Sequence, residues 1–215
     1  MYEGREEPTW ADFSTRFGSY VPPRSEMAHT PLTGARLRET LRRMNPHAST
    51  GVDAWTVREL LALPDKILDL IACLLAQIEQ LGTWPEALSV GLISPLVKDP
   101  AKGAKASNVR PITVMPVVYR MWAATRMEDL LSWQATWISG DVTGYRPEMG
   151  CEDVWWCEAL DVEEALLQGT PLCGCSLDFA RAFDRLPHDI LLTAAETMGA
   201  DPSIMNALRG MYKGL

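Results

Sequence analysis

An apolar run that ends at a carboxylate is the feature that most constrains the fold of this chain of 215 residues. Residues 172–179 read Leu-Cys-Gly-Cys-Ser-Leu-Asp-Phe. The alternation predicts a β-strand, because successive side chains on a strand point to opposite faces. One face would carry the apolar side chains of Cys173, Cys175, Leu177 and Phe179. The other face would carry only Gly174 and Ser176 before it ends at Asp178, so it is small and open. A carboxylate in that position is suited to bind a hard cation such as Mg²⁺.

Composition predicts an ordinary globular protein inside the cell. Hydrophobic residues make up 47% of the chain, and its length fits one large domain or two small ones. The sequence contains no apolar stretch that could cross a membrane, and its start lacks the apolar core of a signal peptide. Five cysteines without an export signal predict reduced thiols. Their spacings do not favour a zinc site, so Cys173 and Cys175 are interpreted as small core residues of the strand.

The distribution of charge is more informative than its sum. A net charge of −8 argues against simple nucleic-acid binding, which depends on basic surface. Between residues 98 and 126, however, only Asp99 is acidic, and six residues are basic: Lys98, Lys102, Lys105, Arg110, Arg120 and Arg126. Residues 147–169 hold seven acids and no base. A local field of this kind can still attract a polyanion, and the acidic stretch is interpreted as a solvated face.

Helices are predicted before and after a single hairpin. Residues 1–30 are expected to have little structure, although Trp10, Phe13 and Phe17 could dock a short helix. Three helices are predicted in the first part of the chain. The first covers residues 32–44, the second begins after an N-cap at Asp53, and the third runs from Asp65 to a stop at Gly82. The apolar residues of the last of these are predicted to be core: Ile67, Leu70, Ile71, Leu74, Leu75, Ile78 and Leu81.

The hairpin pairs residues 90–98 with 109–115, and Pro95 indicates an edge position. This arrangement places Lys98 and Arg110 close together at its tip, although on that pattern alone a solvated turn is the favoured interpretation. Four later helices are predicted: over 117–137, over 151–168, from Pro187 to Gly199, and from Asp201. The core candidates of the first of these are Trp122, Leu130, Leu131 and Trp133. Residues 140–150 are predicted to be loop.

The residues from Leu177 to His188, LDFARAFDRLPH, carry a family resemblance. They resemble the first palm motif of reverse transcriptases, especially those of non-LTR retrotransposons and group II introns. Earlier segments resemble other motifs of that family in the same order: residues 50–55 with 59–64, 82–85 with 92–98, 108–112 with Tyr119 and Arg120, and 144–147. The resemblance spans residues 49–215, and several ordered motifs are far more specific than one.

The resemblance implies an α+β fold of the right-hand polymerase type, mostly helical with a fingers β-hairpin. Residues 1–30 would be a tail, 31–170 the fingers subdomain and 171–215 the start of an incomplete palm. The family's aromatic-x-Asp-Asp motif has no counterpart, because the sequence contains no Asp-Asp pair. We therefore expect an N-terminal fragment that does not polymerise alone and whose palm and thumb follow in cis.

The resemblance also implies a role for each matching residue. Asp178, with the backbone carbonyl of Phe179, would bind Mg²⁺, two ions being needed in the complete enzyme. Lys98 and Arg110 would hold the triphosphate of the incoming dNTP, with Ala182 and Phe183 beside its sugar. Phe183 would exclude a 2′-hydroxyl. Contacts to the RNA template and DNA primer would come from Lys102, Lys105 and Arg146.

Three other interpretations stay open. The chain could be a catalytically dead remnant that still binds nucleic acid through the basic hairpin. It could be a helical interaction module with no nucleic-acid role, which the net charge of −8 favours. A Mg²⁺-dependent hydrolase centred on Asp178 is a weaker alternative, because no second cluster of carboxylates is apparent.

Overall fold

The computed structural model describes residues 8–103, 105–179, 182 and 185–214. The architecture is mostly helical with one two-stranded antiparallel hairpin, in agreement with an α+β class. The elements follow in chain order: α1 Trp10–Phe17, α2 Gly34–Arg43, α3 Val57–Ala62, α4 Asp65–Leu81, α5 Glu86–Ser89, β1 Leu92–Val97, β2 Val109–Val114, α6 Val117–Gln134, α7 Cys151–Gln168, α8 His188–Thr197 and α9 Pro202–Gly214.

Local sequence signals explain where the helices begin and end. α4 starts after Pro64 and stops at Gly82, whose φ of 65° is the left-handed conformation that glycine adopts at helix ends. α3 begins at a capping box formed by Thr56 and Glu59. The prediction that Asp53 caps this helix is wrong. Its carboxylate instead accepts a hydrogen bond of 3.3 Å from the backbone N–H of Val117, at the start of α6.

Four helices enclose the core. α2 and α9 pack on α4, and α6 packs on α2. The most deeply buried large side chains come from these four elements: Leu37, Leu41, Leu68, Leu75, Met121, Trp122, Ile204 and Met211. α9 approaches the end of α4 so closely that a Cβ at Gly210 would lie 1.8 Å from the carbonyl oxygen of Gly82. The packing of α9 on α4 therefore requires glycine at position 210.

The core face of α4 differs from the predicted one. Leu75 and Ile78 are buried as expected, but Leu70 and Leu81 are 64% and 73% exposed. Ile67 and Leu74 are also exposed. Nearly every turn of α4 is apolar on more than one side, so periodicity alone did not select the buried face. Contact with α2 and α9 selected it, and it includes the charged side chain of Glu79, which is 4% exposed.

A buried ion network joins the helices at this face. The guanidinium of Arg126 on α6 donates to both carboxylate oxygens of Glu79 on α4, at 2.6 and 2.8 Å. It also donates to Asp129 at 2.7 Å. Asp129 receives two further hydrogen bonds from Arg36 on α2, at 2.8 and 3.1 Å. Trp122 Nε1 completes the set by donating to Glu79 at 2.7 Å. Each buried charge therefore has an oppositely charged partner, the condition under which burial is tolerated.

Residues 8–30 are more ordered than their composition predicted, and α1 is the short docked helix that Trp10, Phe13 and Phe17 made possible. α1 begins at a capping box of Thr9 and Asp12 and packs against α8. Met27 is 8% exposed, and its N–H donates to the carbonyl of Gly199 at 2.8 Å. The carbonyl of Thr30 accepts hydrogen bonds from Arg36 and Arg126, at 2.6 and 2.8 Å. Hydrogen bonds to the helices thus order this segment in spite of its polar composition.

Two segments of the family resemblance meet in an aromatic cluster. Trp84 packs edge-on against Tyr119 and Trp122, with ring centroids 5.1 Å apart in both pairs. Trp84 Nε1 donates to the carbonyl of Ala207 at 2.8 Å. Burial, aided by the nearby phenol of Tyr212, raises the pKa of Tyr119 to about 12. Trp122 and Trp133 are both core residues, as predicted, whereas Leu130 is only partly buried against the core.

The predicted hairpin is confirmed, and its two edges are blunted. Pro95 of β1 lies directly opposite Pro111 of β2. The N–H of Lys98 donates to the carbonyl of Asn108 at 2.8 Å, which sets the alternation of hydrogen-bonded pairs along the ladder. Residues 95 and 111 then fall where an N–H would point away from the partner strand. Because proline has no N–H, both free edges lack a donor at that point, which disfavours pairing with a further strand.

The strand predicted over residues 172–179 is absent from the structure. Residues 171–179 form neither strand nor helix, and each is exposed. Leu177 and Phe179 are 79% and 77% exposed, and Cys173 and Cys175 are exposed thiols rather than core residues. A strand needs a hydrogen-bonded neighbour, and in the described part of the chain the only sheet is the hairpin. The alternating pattern therefore has no partner here.

Helix α7 has the predicted bounds, and none of its side chains is buried. Its acidic residues form a solvated surface, as expected, but Trp155 and Trp156 are also 68% and 60% exposed. Among the described helices, none combines the length and apolarity needed to cross a bilayer.

We expect Arg126→Met to lower the free energy of unfolding by about 3–5 kcal/mol, because it leaves the buried carboxylates of Glu79 and Asp129 without their shared cation. Urea unfolding followed by tryptophan fluorescence measures the change. Arg42→Met removes the same group from an exposed pair with Glu39 and should cost at most about 1 kcal/mol. Equal losses in the two variants would contradict a structural role for the buried network.

We also expect stability to fall in acid partly through Asp129. Burial by itself raises the pKa of this carboxyl, but hydrogen bonds from Arg36 and Arg126 outweigh that effect and hold the pKa below its usual value. A carboxyl whose pKa is lowered by folding adds to the free energy of unfolding at pH values above its unfolded-state pKa of about 3.9. This contribution is lost as the pH falls through the pKa of the folded state. Urea midpoints measured from pH 7 to pH 3 should therefore decline more steeply in the original protein than in Asp129→Asn. Parallel curves would refute the assignment.

Candidate nucleic-acid interface

The hairpin places Lys98 and Arg110 on one face near its tip. Arg110 pairs with Leu96, and Lys98 follows two residues after Leu96, opposite Asn108. Residues two apart on a strand point to the same side, so the two cations share a face. Both side chains are exposed, and neither forms an ion pair with a carboxylate in the described ranges. The pair is therefore available to an anionic ligand.

Beyond the strands, the loop forms a cationic cavity. A space of about 530 Å³ lies at the tip of the hairpin, and its walls include Lys98, Lys102 and Lys105. One acid, Asp99, also lines it and pairs with Lys102 at 3.4 Å. The sequence identified these lysines but missed Asn108, which lines the same cavity and is 8% exposed. An asparagine at the end of a predicted turn was the signal in the sequence that could have identified it, because asparagine side chains often bind the backbone of turns.

The basic cluster of the sequence is smaller in the folded chain. Arg126 is 2% exposed and belongs to the buried ion network. Arg120 donates to the carbonyl of Ser49 at 2.7 Å and so ties α6 to the loop before α3. The interpretation of six basic residues as one attractive surface is therefore wrong for these two. The accessible cations between residues 98 and 126 are those of the hairpin: Lys98, Lys102, Lys105 and Arg110.

Arg146 has local partners. Its guanidinium donates to the carbonyls of Ser139 and Val142, both at 3.2 Å, and thereby closes the loop that precedes α7. Tyr145 beside it has a φ of 59°, a conformation uncommon for residues other than glycine, and is 84% exposed. The structure thus gives Arg146 a part in shaping this loop, and its predicted contact with nucleic acid stays a prediction.

The residues of the predicted metal site are mostly solvent-exposed. Asp178 and Phe179 lie in the irregular segment 171–179 described above, and Ala182, a predicted nucleotide contact, lies in an exposed turn. Phe183 is outside the described residues. In the described part of the chain, no three acidic, histidine or cysteine side chains group closely enough to hold a metal ion. Asp178 can supply one oxygen ligand, but the described residues do not by themselves fit a site for two Mg²⁺ ions.

Comparison with known proteins supports a distant relationship. No protein-family model matches the chain. The RNA-directed DNA polymerase from mobile element jockey of Drosophila funebris is 23% identical over 192 residues, which cover 86% of this chain. The same residues cover 20% of that polymerase, so the chain spans about a fifth of the length of the curated relative it matches. The chain is thus distantly similar to a retrotransposon reverse transcriptase.

We expect the double variant Lys98→Ala/Arg110→Ala to weaken binding of single-stranded RNA about 10-fold at low salt, because each cation that neutralises a phosphate releases counterions. The salt dependence of log K should become shallower by between one and two units. Fluorescence anisotropy with a labelled RNA oligonucleotide measures both quantities. Lys66→Ala/Lys213→Ala removes two exposed cations elsewhere and serves as the control. Equal effects of the two double variants would show that only total charge matters.

Proposed function

We propose that this chain is the nucleotide- and template-contacting part of an RNA-directed DNA polymerase of a retroelement. The observation that carries the proposal is that Lys98 and Arg110 lie exposed on one face of a hairpin, with no carboxylate partner among the described residues. The distant similarity to the jockey polymerase supports it. In this proposal residues 31–170 form the fingers, and residues 171–215 begin the palm.

Phosphoryl transfer explains why such a surface is useful. The reaction asks little covalent chemistry of the protein, and catalysis depends on positioning and on neutralising charge. Lys98 and Arg110 would bind phosphate oxygens of the incoming dNTP. Lys102, Lys105 and Arg146 would contact the backbone of the RNA template or DNA primer.

Asp178 would bind Mg²⁺ with one carboxylate, and the carbonyl of Phe179 would lie beside the same ion. Mg²⁺ would neutralise phosphate charge, and the remaining acidic ligands would come from residues outside the described ones. Ala182 would leave space for the sugar, and Phe183 would discriminate against a 2′-hydroxyl. Because Asp178 is the only described carboxylate that this proposal assigns to the metal, we expect the chain by itself to be inactive in DNA synthesis.

A second function, nucleic-acid binding without catalysis, is favoured by one specific observation. Lys98 and Arg110 are exposed and pair with no carboxylate among the described residues, whereas the predicted metal ligand Asp178 belongs to no described group of three possible metal ligands. A remnant that keeps the hairpin would bind RNA in a salt-dependent manner with no polymerase activity. The third interpretation, a helical interaction module, draws on the exposed surface of α7.

Primer extension on an RNA template tests the proposal. The protein should be expressed with whatever residues its gene encodes on either side of this chain. We expect Mg²⁺-dependent extension that Asp178→Ala lowers at least about 100-fold, because a charge-stabilising group is lost from the reacting centre. Asp189→Ala removes a nearby exposed carboxylate and should leave extension unchanged.

Each alternative has its own outcome in the same experiment. Intact RNA binding with no extension by the unaltered protein would favour the non-catalytic binding function. If the unaltered protein neither bound RNA nor extended the primer, the result would favour the interaction module. Equal activity in Asp178→Ala and Asp189→Ala would remove Asp178 from the proposed site.

A further inference from the structure

A single buried amide organises the loop of the hairpin. Asn108 Nδ2 donates to the carbonyls of Asp99 and Gly103, both at 2.7 Å. Its Oδ1 accepts from the N–H of Asp99 at 3.2 Å. Its backbone N–H donates to the carbonyl of Lys105 at 2.8 Å. Asn108 therefore binds the beginning, middle and end of the loop at once, in place of the hydrogen bonds that a tighter turn would make.

The backbone of the loop is equally specific. Gly103 has φ 67° and ψ −179°, a region open almost only to glycine. A Cβ at this position would meet no atom within 4 Å, so the requirement for glycine is conformational rather than steric. Two short 3₁₀ turns, Pro100–Lys102 and Ala106–Asn108, lie on either side of Gly103. Together these features give the described residues of the loop a specific conformation, which a merely solvated connection would not need.

The defined shape matters because of the side chains it presents. Lys98, Lys102 and Lys105 line the same cavity as Asn108. Lysine side chains have high conformational entropy, and three ammonium groups repel one another. Asn108 holds backbone groups of the loop in place, so the positions from which these side chains extend are fixed before any ligand arrives. Preorganisation of this kind raises affinity by lowering the ordering cost of binding.

Asp99 has the opposite effect on charge. Its Oδ1 accepts from the N–H of Ala101 at 3.0 Å and so caps the first turn. The other oxygen pairs with Lys102. The carboxylate therefore combines a structural role with partial neutralisation of the cavity. An asparagine at position 99 would keep the capping oxygen and remove the negative charge.

We propose that Asn108 is the positioning residue of a preformed binding site for phosphate oxygens, with Lys98, Lys102 and Lys105 as its cationic ligands and Asp99 as a built-in attenuator. The physiological source of the phosphate, a nucleoside triphosphate or a nucleic-acid backbone, rests on the proposed function. The site itself does not require polymerase activity.

Inorganic tripolyphosphate is the probe, titrated calorimetrically into the 215-residue chain at low salt. We expect Asn108→Ala to weaken binding about 5-fold, because the lysines must then be ordered by the ligand. We expect Asp99→Asn to tighten binding about 2-fold, because it removes a negative charge that repels the anionic ligand. Asn45→Ala is the matched control, since Asn45 Oδ1 accepts a hydrogen bond in an exposed turn far along the chain from the hairpin.

A second measurement separates positioning from general destabilisation. The hairpin lies outside the buried core, so thermal melting followed by tryptophan fluorescence should be nearly the same for Asn108→Ala and the unaltered chain. With ¹³C-methylated lysines, the three cavity signals should follow one saturation curve in the unaltered chain and separate curves in Asn108→Ala. Unchanged tripolyphosphate affinity in Asn108→Ala, or unchanged affinity in Lys102→Ala/Lys105→Ala, would overturn the proposal.

Competition assigns the source of the phosphate. Displacement of bound single-stranded RNA by tripolyphosphate would support the site as a contact for the nucleic-acid backbone. Simultaneous binding of both would support it as a contact for a nucleoside triphosphate. Failure of primer extension with intact tripolyphosphate binding would reject the polymerase function and leave the anion site standing.

Discussion

The pairing of Arg126 with Glu79 is the interaction on which the rest of the structure depends. It lies where α4 and α6 meet, and both side chains are almost fully buried. Through Asp129 the same network reaches Arg36 on α2, and through the carbonyl of Thr30 it fixes the segment that leads from α1. Hydrophobic contacts alone select the relative position of helices weakly, whereas buried charges favour the arrangement in which each one is paired.

This network also determines where positive charge remains available. Arg126 is buried in the network and Arg120 donates to the carbonyl of Ser49, so the accessible cations between residues 98 and 126 belong to the hairpin. Helix α7, with its acids and no basic residue, lies apart as an exposed surface. A net charge of −8 is thus compatible with one cationic site, because the field near a ligand depends on the nearest groups more than on the total.

Local patterns were sufficient for the elements whose signals are local. Gly82 ended α4, paired apolar strands around a polar loop predicted the hairpin, and α7 has the predicted bounds. Prediction failed where a pattern needs a distant partner. Residues 172–179 alternate like a strand, yet none of the described residues pairs with them. Residues 8–30 have the composition of a tail, yet distant backbone groups bind them, such as the carbonyl of Gly199 that accepts from Met27.

The sequence by itself determined the longer helices from α2 onward, the hairpin and the identity of the candidate cations, because capping residues, glycine stops and periodicity act over a few neighbouring positions. Only the tertiary structure decided which face of α4 is buried, that Arg126 is internal while Lys98 and Arg110 are exposed, and that Asn108 closes the loop. Burial and pairing depend on residues far apart in the chain. Glu79 and Arg126 are separated by 47 positions, and no local pattern reveals that they meet.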